Sequence, residues 1–156
     1  MTFTGQSIST QDTNMNEITY CKLLTANDVG QTKSHQAGIH IPKGNPDLLT
    51  FLPKLDGKTL NPSVWLKCQD QNGEIWNFRF VYYNNKFHSE SGRRNEYRIT
   101  HMTKFLKANA TTVGDTFSIS NLSTNNFYTI RIEHKEEYNN VTNNIVVRLK
   151  GWSRLH

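Results

Sequence analysis

Side chains that could read nucleic-acid bases are concentrated in one polar segment, Ser91–Arg98, with the sequence SGRRNEYR. An arginine guanidinium is a rigid fork of donors that matches O6 and N7 of guanine, and a glutamate can accept from N4 of cytosine. The same composition is equally typical of a basic surface run in which Glu96 neutralises one arginine. In an extended chain Arg94, Glu96 and Arg98 share one face, because side chains alternate. The opposite face, towards backbone or core, would then carry Arg93, Asn95 and Tyr97.

A second polar segment, Asn27–Gln36, contains ten residues and one apolar side chain. It joins two predicted strands and is long for a hairpin connection. Its side chains are hydrogen-bond donors and acceptors of different lengths, as contacts with base edges require. A solvated, flexible loop explains the same composition, so both interpretations stay open.

The sequence contains only a weak indication of catalysis. Asp47 and the later Glu133-His134-Lys135 resemble the Asp…Glu-Xaa-Lys arrangement of metal-dependent nucleases. The two parts are far apart, and an acid after Pro46 is also typical of a first helical turn. No histidine or cysteine spacing supports a zinc site. Cys21 and Cys68 are expected to be buried free thiols.

Composition favours a polyanionic partner. The chain has 156 residues, a formal charge of +5, a pI near 9.3 and 35% hydrophobic residues. A basic balance of this size fits nucleic acid first and an anionic membrane second, although a basic protein with neither partner has the same signature. No stretch approaches the ~18 apolar residues of a membrane span. We expect one domain at residues 17–156 after a disordered leader at 1–16.

The elements that must position the polar segments are mostly strands. Two short helices are predicted, one at Pro46–Leu52 with Asn45 as its cap and one at His101–Ala108 with Thr100 as its cap. Strands at this spacing predict a mainly β domain, a mostly antiparallel barrel or sandwich rather than βαβ units. About seven strands are expected, at Glu17–Leu24, Ala37–Ile41, Asn61–Gln69, Glu74–Tyr83, Thr116–Ser120, Phe127–His134 and Asn144–Lys150.

The strand Glu74–Tyr83 has one aromatic face, formed by Trp76, Phe78, Phe80 and Tyr82. Core packing is the simplest explanation of that face. An exposed aromatic sheet that binds single strands or RNA through Trp76, Phe78 and Phe80 is the alternative.

Five short motifs resemble the N-terminal effector domain of EcoRII-type restriction endonucleases. They keep their order and approximate spacing within residues 18–120, and both polar segments match as well as the strands. Beyond Thr100 the likeness fades, and Gly114–Phe117 is similar to the wider group of DNA-binding pseudobarrels. The motifs are Leu24–Asp28 (LTAND), His35–Pro42 (HQAGIHIP), Leu60–Val64 (LNPSV), Tyr82–Asn84 (YYN) and Arg94–Thr100 (RNEYRIT).

The resemblance implies a DNA-binding pseudobarrel with a concave cleft and two arms, Gly30–His40 and Ser89–Arg98, which enter the major groove. It implies recognition of a CCWGG-like site in double-stranded DNA by a non-catalytic domain without a cofactor. The active site would belong to a separate, fused Mg²⁺-dependent nuclease domain, in the cytoplasm of a bacterium or archaeon. A small metal-dependent nuclease using Asp47, Glu133 and Lys135 remains the enzymatic alternative.

The resemblance places seven residues on DNA-contact positions, Lys22, His35, His40, Arg94, Glu96, Tyr97 and Arg98, and the other expected contacts rest on side-chain chemistry. Gly92-Arg93 departs from the family, where a lysine stands one step earlier, and Ser34 replaces a glycine, so the exact target stays open. Base reading is expected from His35, Arg94, Glu96, Arg98, Tyr97, Lys33 and His40. Phosphate binding is expected from Lys22, Ser34, Arg79, Asn85, Lys86, Arg93 and Lys104.

Overall fold

The computed structural model describes residues 17–30, 38–85, 95–121, 127–135 and 151–155. The expected leader at 1–16 and the strand expected at 144–150 lie outside these residues. Within the described ranges, no helix is long and apolar enough to cross a bilayer.

The described chain is mainly β, as predicted, and its strands form one sheet with the order β2-β5-β4-β3-β7-β6-β1-β8. All neighbouring strands are antiparallel except β3 and β7, which are parallel. Two of the eight strands, β5 and β8, were not counted from sequence. The strands are β1 Ile18–Leu23, β2 Ile39–Ile41, β3 Ser63–Gln69, β4 Ile75–Tyr83, β5 Glu96–Thr100, β6 Thr116–Asn121, β7 Phe127–Glu133 and β8 Trp152–Leu155.

The sheet curls into a nearly closed barrel whose two edge strands are joined by a side chain. The indole N–H of Trp152 on β8 donates to the carbonyl of His40 on β2 at 3.0 Å. The Trp152 ring also packs edge-on against Phe117 at 6.1 Å. This contact protects the exposed edges that an open sheet would leave for pairing with other chains.

The barrel interior is filled by alternate residues of each strand. On β4, Phe78 and Phe80 are fully buried, and Phe78 meets Phe105 edge-on at 5.5 Å. The aromatic face of β4 is therefore the core face, as predicted. Since Phe78 and Phe80 have no accessible surface for stacking bases, the alternative of an aromatic RNA-binding sheet at these residues is wrong.

Two short helices pack against the barrel. The first, α1 at Pro46–Phe51, begins as predicted, with the Asn45 side chain accepting from the Leu48 N–H. The second, α2 at Thr103–Ala108, begins two residues later than predicted, and its cap is Met102 rather than Thr100. Thr100 instead ends β5, and His101 takes a left-handed conformation (φ 67°) that interrupts the chain between strand and helix.

Candidate nucleic-acid interface

The outward face of β2, β5, β4 and β3 carries four of the eight described residues expected to contact DNA, namely His40, Arg79, Glu96 and Arg98. Strand pairing sets His40 opposite Arg98, Arg98 opposite Val81, and Val81 opposite Ser63. The next row along the strands is Thr100, Arg79 and Trp65. Pairing across four strands thus gathers side chains that are far apart in sequence, such as His40 and Arg98.

Glu96 and Arg98 form an ion pair on this face. The Arg98 Nε lies 2.7 Å from the Glu96 Oε2, and the two side chains are 7% and 11% exposed respectively. The Arg98 Nη1 also donates to the Gly38 carbonyl at 3.2 Å. Glu96 and Arg98 share a face, as alternation predicted, whereas Arg94 lies outside the described residues. The hydrogen bond to Gly38 ties the end of the second arm to the end of the first.

Tyr97 points the other way, towards the core. Its ring stacks on Tyr82 at 4.2 Å and lies nearly parallel to Phe80 at 5.7 Å. Burial raises the pKa of the Tyr97 hydroxyl, and Tyr82 raises it further. This placement favours a role in fixing β5 against β4 over the expected role in base reading.

Lys22 and Asp28 form a buried ion pair at the base of the first arm. The Lys22 Nζ lies 2.5 Å from the Asp28 Oδ2, and both side chains are less than one-tenth exposed. The Asp28 carboxylate also accepts from the Thr25 N–H at 3.0 Å, while the Thr25 hydroxyl accepts from the Asp28 N–H. A phosphate contact would require Lys22 to leave this carboxylate. Its position instead suits a residue that holds the turn at 26–30.

A buried asparagine, Asn84, fixes the base of the second arm. Its side-chain oxygen accepts from the Asn61 N–H at 2.7 Å, and its amide donates to the carbonyls of Gly57 and Thr59. The Asn84 N–H donates back to the Asn61 side chain at 3.2 Å. Sequence reasoning did not assign a role to either asparagine, although both occur in the motifs shared with the EcoRII-type family.

The other expected contact residues differ in accessibility. His40, Asn85 and Lys104 are exposed, and Arg79 is partly buried beside Trp65. The sequence analysis gave no contact role to Trp65 or His101. A tryptophan in an alternating strand is usually a core residue, and His101 was expected inside a helix. The expected contacts at Lys33, Ser34, His35, Lys86, Arg93 and Arg94 lie outside the described residues.

The residues of the nuclease alternative are not brought together. Asp47 lines a cavity of about 340 Å³ beside α1, whereas Glu133 lines a different groove of about 490 Å³ across β1, β6 and β7. The Lys135 N–H donates to Asp115 at 2.9 Å. Among the residues that the structure describes, no group of three metal-ligating side chains occurs.

The curled sheet and the two short helices define a mainly β pseudobarrel fold. Two solved structures share this fold. The Arabidopsis FUS3–DNA complex superposes with a TM-score of 0.53 at 20% identity, covering 72% of this chain and 93% of that one. The N-terminal domain of Helicobacter pylori LlaJI.R1 superposes with a TM-score of 0.52 at 12% identity, covering 89% and 98%.

The chain belongs to the family described as restriction endonuclease EcoRII, N-terminal, which it matches over residues 13–129. A curated relative, the type II restriction enzyme EcoRII of Escherichia coli, is 38% identical over 93 residues. That match covers 54% of this chain and 21% of the enzyme, so the chain corresponds to about a fifth of its relative.

Proposed function

We propose that this chain is the non-catalytic recognition domain of a type II restriction endonuclease, binding double-stranded DNA at a CCWGG-like site through two major-groove arms. Family membership and the EcoRII relative support the restriction-enzyme context. The observation that carries the proposal is Arg98, which belongs to the second arm and bonds to the Gly38 carbonyl of the first. One guanidinium thus joins the two segments expected to hold the duplex.

The two arms end side by side on adjacent strands. His40, the last residue of the first arm, lies opposite Arg98, the last residue of the second arm, in the register of β2 with β5. The Arg98 guanidinium also donates to the Gly38 carbonyl of the first arm. Because both arms leave the barrel at this one place, one major groove would receive them both.

The proposed mechanism divides the contacts into two kinds. Arg94, Glu96, Arg98 and His35 read base edges, with Lys33 and His40 beside them, because their donors and acceptors match major-groove patterns. Glu96 and Arg98 are buried in their ion pair in the free domain, so reading a base requires that DNA binding opens this pair. Arg79, Lys104 and Asn85, with Lys86, Arg93 and Ser34, contact phosphates and set the register. Asp28 with Lys22, and Tyr97 with Tyr82, hold the arms and β5 in place.

Arg98→Lys tests the base-reading assignment, because lysine keeps the charge and loses the planar fork. We expect a loss of ~1–3 kcal/mol on a CCWGG duplex and little change on a scrambled one. Arg131→Ala is the control, since Arg131 is 57% exposed and lies on the other half of the barrel. Equal losses on both duplexes, with an unchanged melting temperature, would reassign Arg98 to sequence-independent binding.

The non-catalytic role has a direct test. Pure domain incubated with plasmid and Mg²⁺ should leave the plasmid supercoiled, because the active site would belong to a fused nuclease domain. Nicking that disappears in Asp47→Asn or Glu133→Gln protein would make the domain itself a nuclease.

The proposed setting is the cytoplasm of a bacterial or archaeal cell, where the enzyme meets DNA.

A further inference from the structure

Trp65 is a large aromatic side chain left in solvent on the outward face of β3. It is 54% exposed and stands directly opposite Arg79 of β4 in the strand register. Directly opposed side chains on one sheet face lie within ~5.5 Å at their Cβ atoms. Tryptophan and arginine are each enriched among the hot-spot residues of protein–protein interfaces.

His101 packs directly against the exposed Trp65 side chain. The His101 ring meets the indole edge-on, with centroids 5.0 Å apart. His101 has a positive φ of 67°, which is unfavourable for a residue other than glycine, and its Nδ1 lies 3.0 Å from the Thr100 hydroxyl. Strained backbone of this kind clusters at functional sites. Here it places an imidazole against the exposed indole.

The surface around Trp65 is cationic. On the outward face of β3 and β4 the charged side chains are Lys67, two residues from Trp65, and Arg79, opposite Trp65. Neither β3 nor β4 contains an aspartate or glutamate. The groove across β1, β6 and β7 differs, because it is lined by Glu17 and Glu133, by Asp70 of the β3–β4 turn, and by Arg131. The face that carries Trp65 is therefore the one that suits a polyanion.

We infer that Trp65, His101 and Lys67 form a flanking contact that binds the sugar–phosphate backbone of the duplex beyond the recognised bases. This inference rests on the proposed function and extends its interface. β3 lies two strands from Arg98, which is ~10 Å at the usual strand spacing. For a duplex that runs across these strands, this distance corresponds to ~3 base pairs at 3.4 Å each, counted outward from the base that Arg98 reads.

The chemistry of the contact follows from its side chains. The indole ring offers an apolar face to a deoxyribose and an N–H to a phosphate oxygen. Lys67, whose Nζ lies 6.0 Å from the centroid of the Phe127 ring, adds positive charge, and His101 packs against the indole. The contact carries no base information, so it adds affinity equally at every sequence.

Trp65→Ala on duplexes of two lengths tests the inference. With ten flanking base pairs, affinity should fall about fivefold to tenfold for both CCWGG and scrambled sequences. With one flanking base pair, wild type and variant should bind equally. Leu155→Ala is the control, because Leu155 is an exposed apolar residue lining the acidic groove. Lys67→Ala should also flatten the salt slope by ~0.9.

A second readout uses fluorescence. Trp76 and Trp152 are partly buried and hydrogen-bonded, so Trp65 should dominate quenching by iodide. Duplex with long flanks should shield this emission, and the shielding should be missing in Trp65→Phe protein.

Unchanged affinity of Trp65→Ala on long duplexes, while Arg98→Lys loses site preference, would overturn the inference and leave the proposed function standing. A change in oligomeric state without a change in DNA affinity would assign the patch to self-association and overturn it too. Failure of the wild-type domain to bind any duplex would remove the proposed function and the inference together.

Discussion

Buried charge pairs at the bases of the arms are the clearest feature at the scale of single residues. Arg98 is held by Glu96 and by the Gly38 carbonyl, and Lys22 is held by Asp28. Buried pairs are costly to desolvate and specify one geometry more than they stabilise it. These ion pairs therefore fix the positions of the arm bases in the free domain, from which the arms extend.

Asp28→Ala should destabilise the domain by about 3 kcal/mol, because it leaves the Lys22 ammonium and the Thr25 N–H without their carboxylate. Urea unfolding measures the loss. In the double variant Lys22→Met/Asp28→Ala much of the loss should be recovered, since no unpaired charge remains. Glu133→Ala, which removes a more exposed ion pair with Arg131, should cost under about 1 kcal/mol. Equal costs for Asp28→Ala and Glu133→Ala would refute the structural role of the buried pair.

Asp115 makes the folded state sensitive to acid. Burial raises the pKa of its carboxyl, but hydrogen bonds from the Thr112 N–H, His134 and the Lys135 N–H outweigh burial and hold the pKa below its usual value. A depressed folded-state pKa gives stability that is present above the unfolded pKa of about 3.9 and lost as the pH falls through the folded value.

Asp115→Asn should therefore lose about 2 kcal/mol near pH 7 and show a flatter decline of stability below about pH 4. Thermal unfolding at several pH values measures both effects. Asp56→Asn is the matched control at an exposed position. A variant with the wild-type slope below pH 4 would show that Asp115 does not carry this dependence.

At the scale of elements, the junction of the first arm with β2 depends on a glycine. Gly38 has φ +90°, and a β-carbon there would overlap the carbonyl oxygen of Ile99 on β5. Only a residue without a side chain allows this approach, which also lets the Gly38 carbonyl reach Arg98.

Gly38→Ala should cost ~3 kcal/mol or more, because strain and backbone overlap add. Gly30→Ala should cost only about 1 kcal/mol, since Gly30 has φ +81° but open space around its Cα. Gly44→Ala, with neither constraint, should be near neutral. Chemical unfolding of the three variants measures the order of their losses in stability. A Gly38→Ala protein that loses no more stability than Gly30→Ala would contradict the close contact with β5.

Some elements could be predicted from sequence and others could not. The alternation of apolar residues predicted β4 and its core face, and the Asn45-Pro46 pair predicted the start of α1. β5 was missed as a strand because Glu96, Tyr97 and Arg98 read as a polar loop. Its polar residues are satisfied by each other and by Gly38, which only the sheet pairing brings near. The predicted start of α2 was wrong because β5 continues through Thr100.

At the scale of the whole molecule, the Trp152 indole links the two edge strands of the described sheet, β8 and β2. Trp152→Phe removes the bond to the His40 carbonyl and keeps most of the packing on Phe117. We expect a loss of about 1 kcal/mol, with faster amide exchange in β2 and β8 than in β3 and β4. Trp65→Phe removes an indole that is half exposed and should leave exchange unchanged. Uniform exchange rates in Trp152→Phe protein would show that this bond does not close the barrel.

The sequence by itself determined the class of protein, because strand alternation, basic charge and the shared motifs are local properties of the chain. The sequence also identified Glu96 and Arg98 as candidate DNA contacts. Only the tertiary structure decided which way each candidate points: Tyr97 into the core, Lys22 onto Asp28, and Trp65 out beside Arg79. The physical reason is that burial and ion pairing depend on strand register, and register joins residues that the sequence leaves far apart.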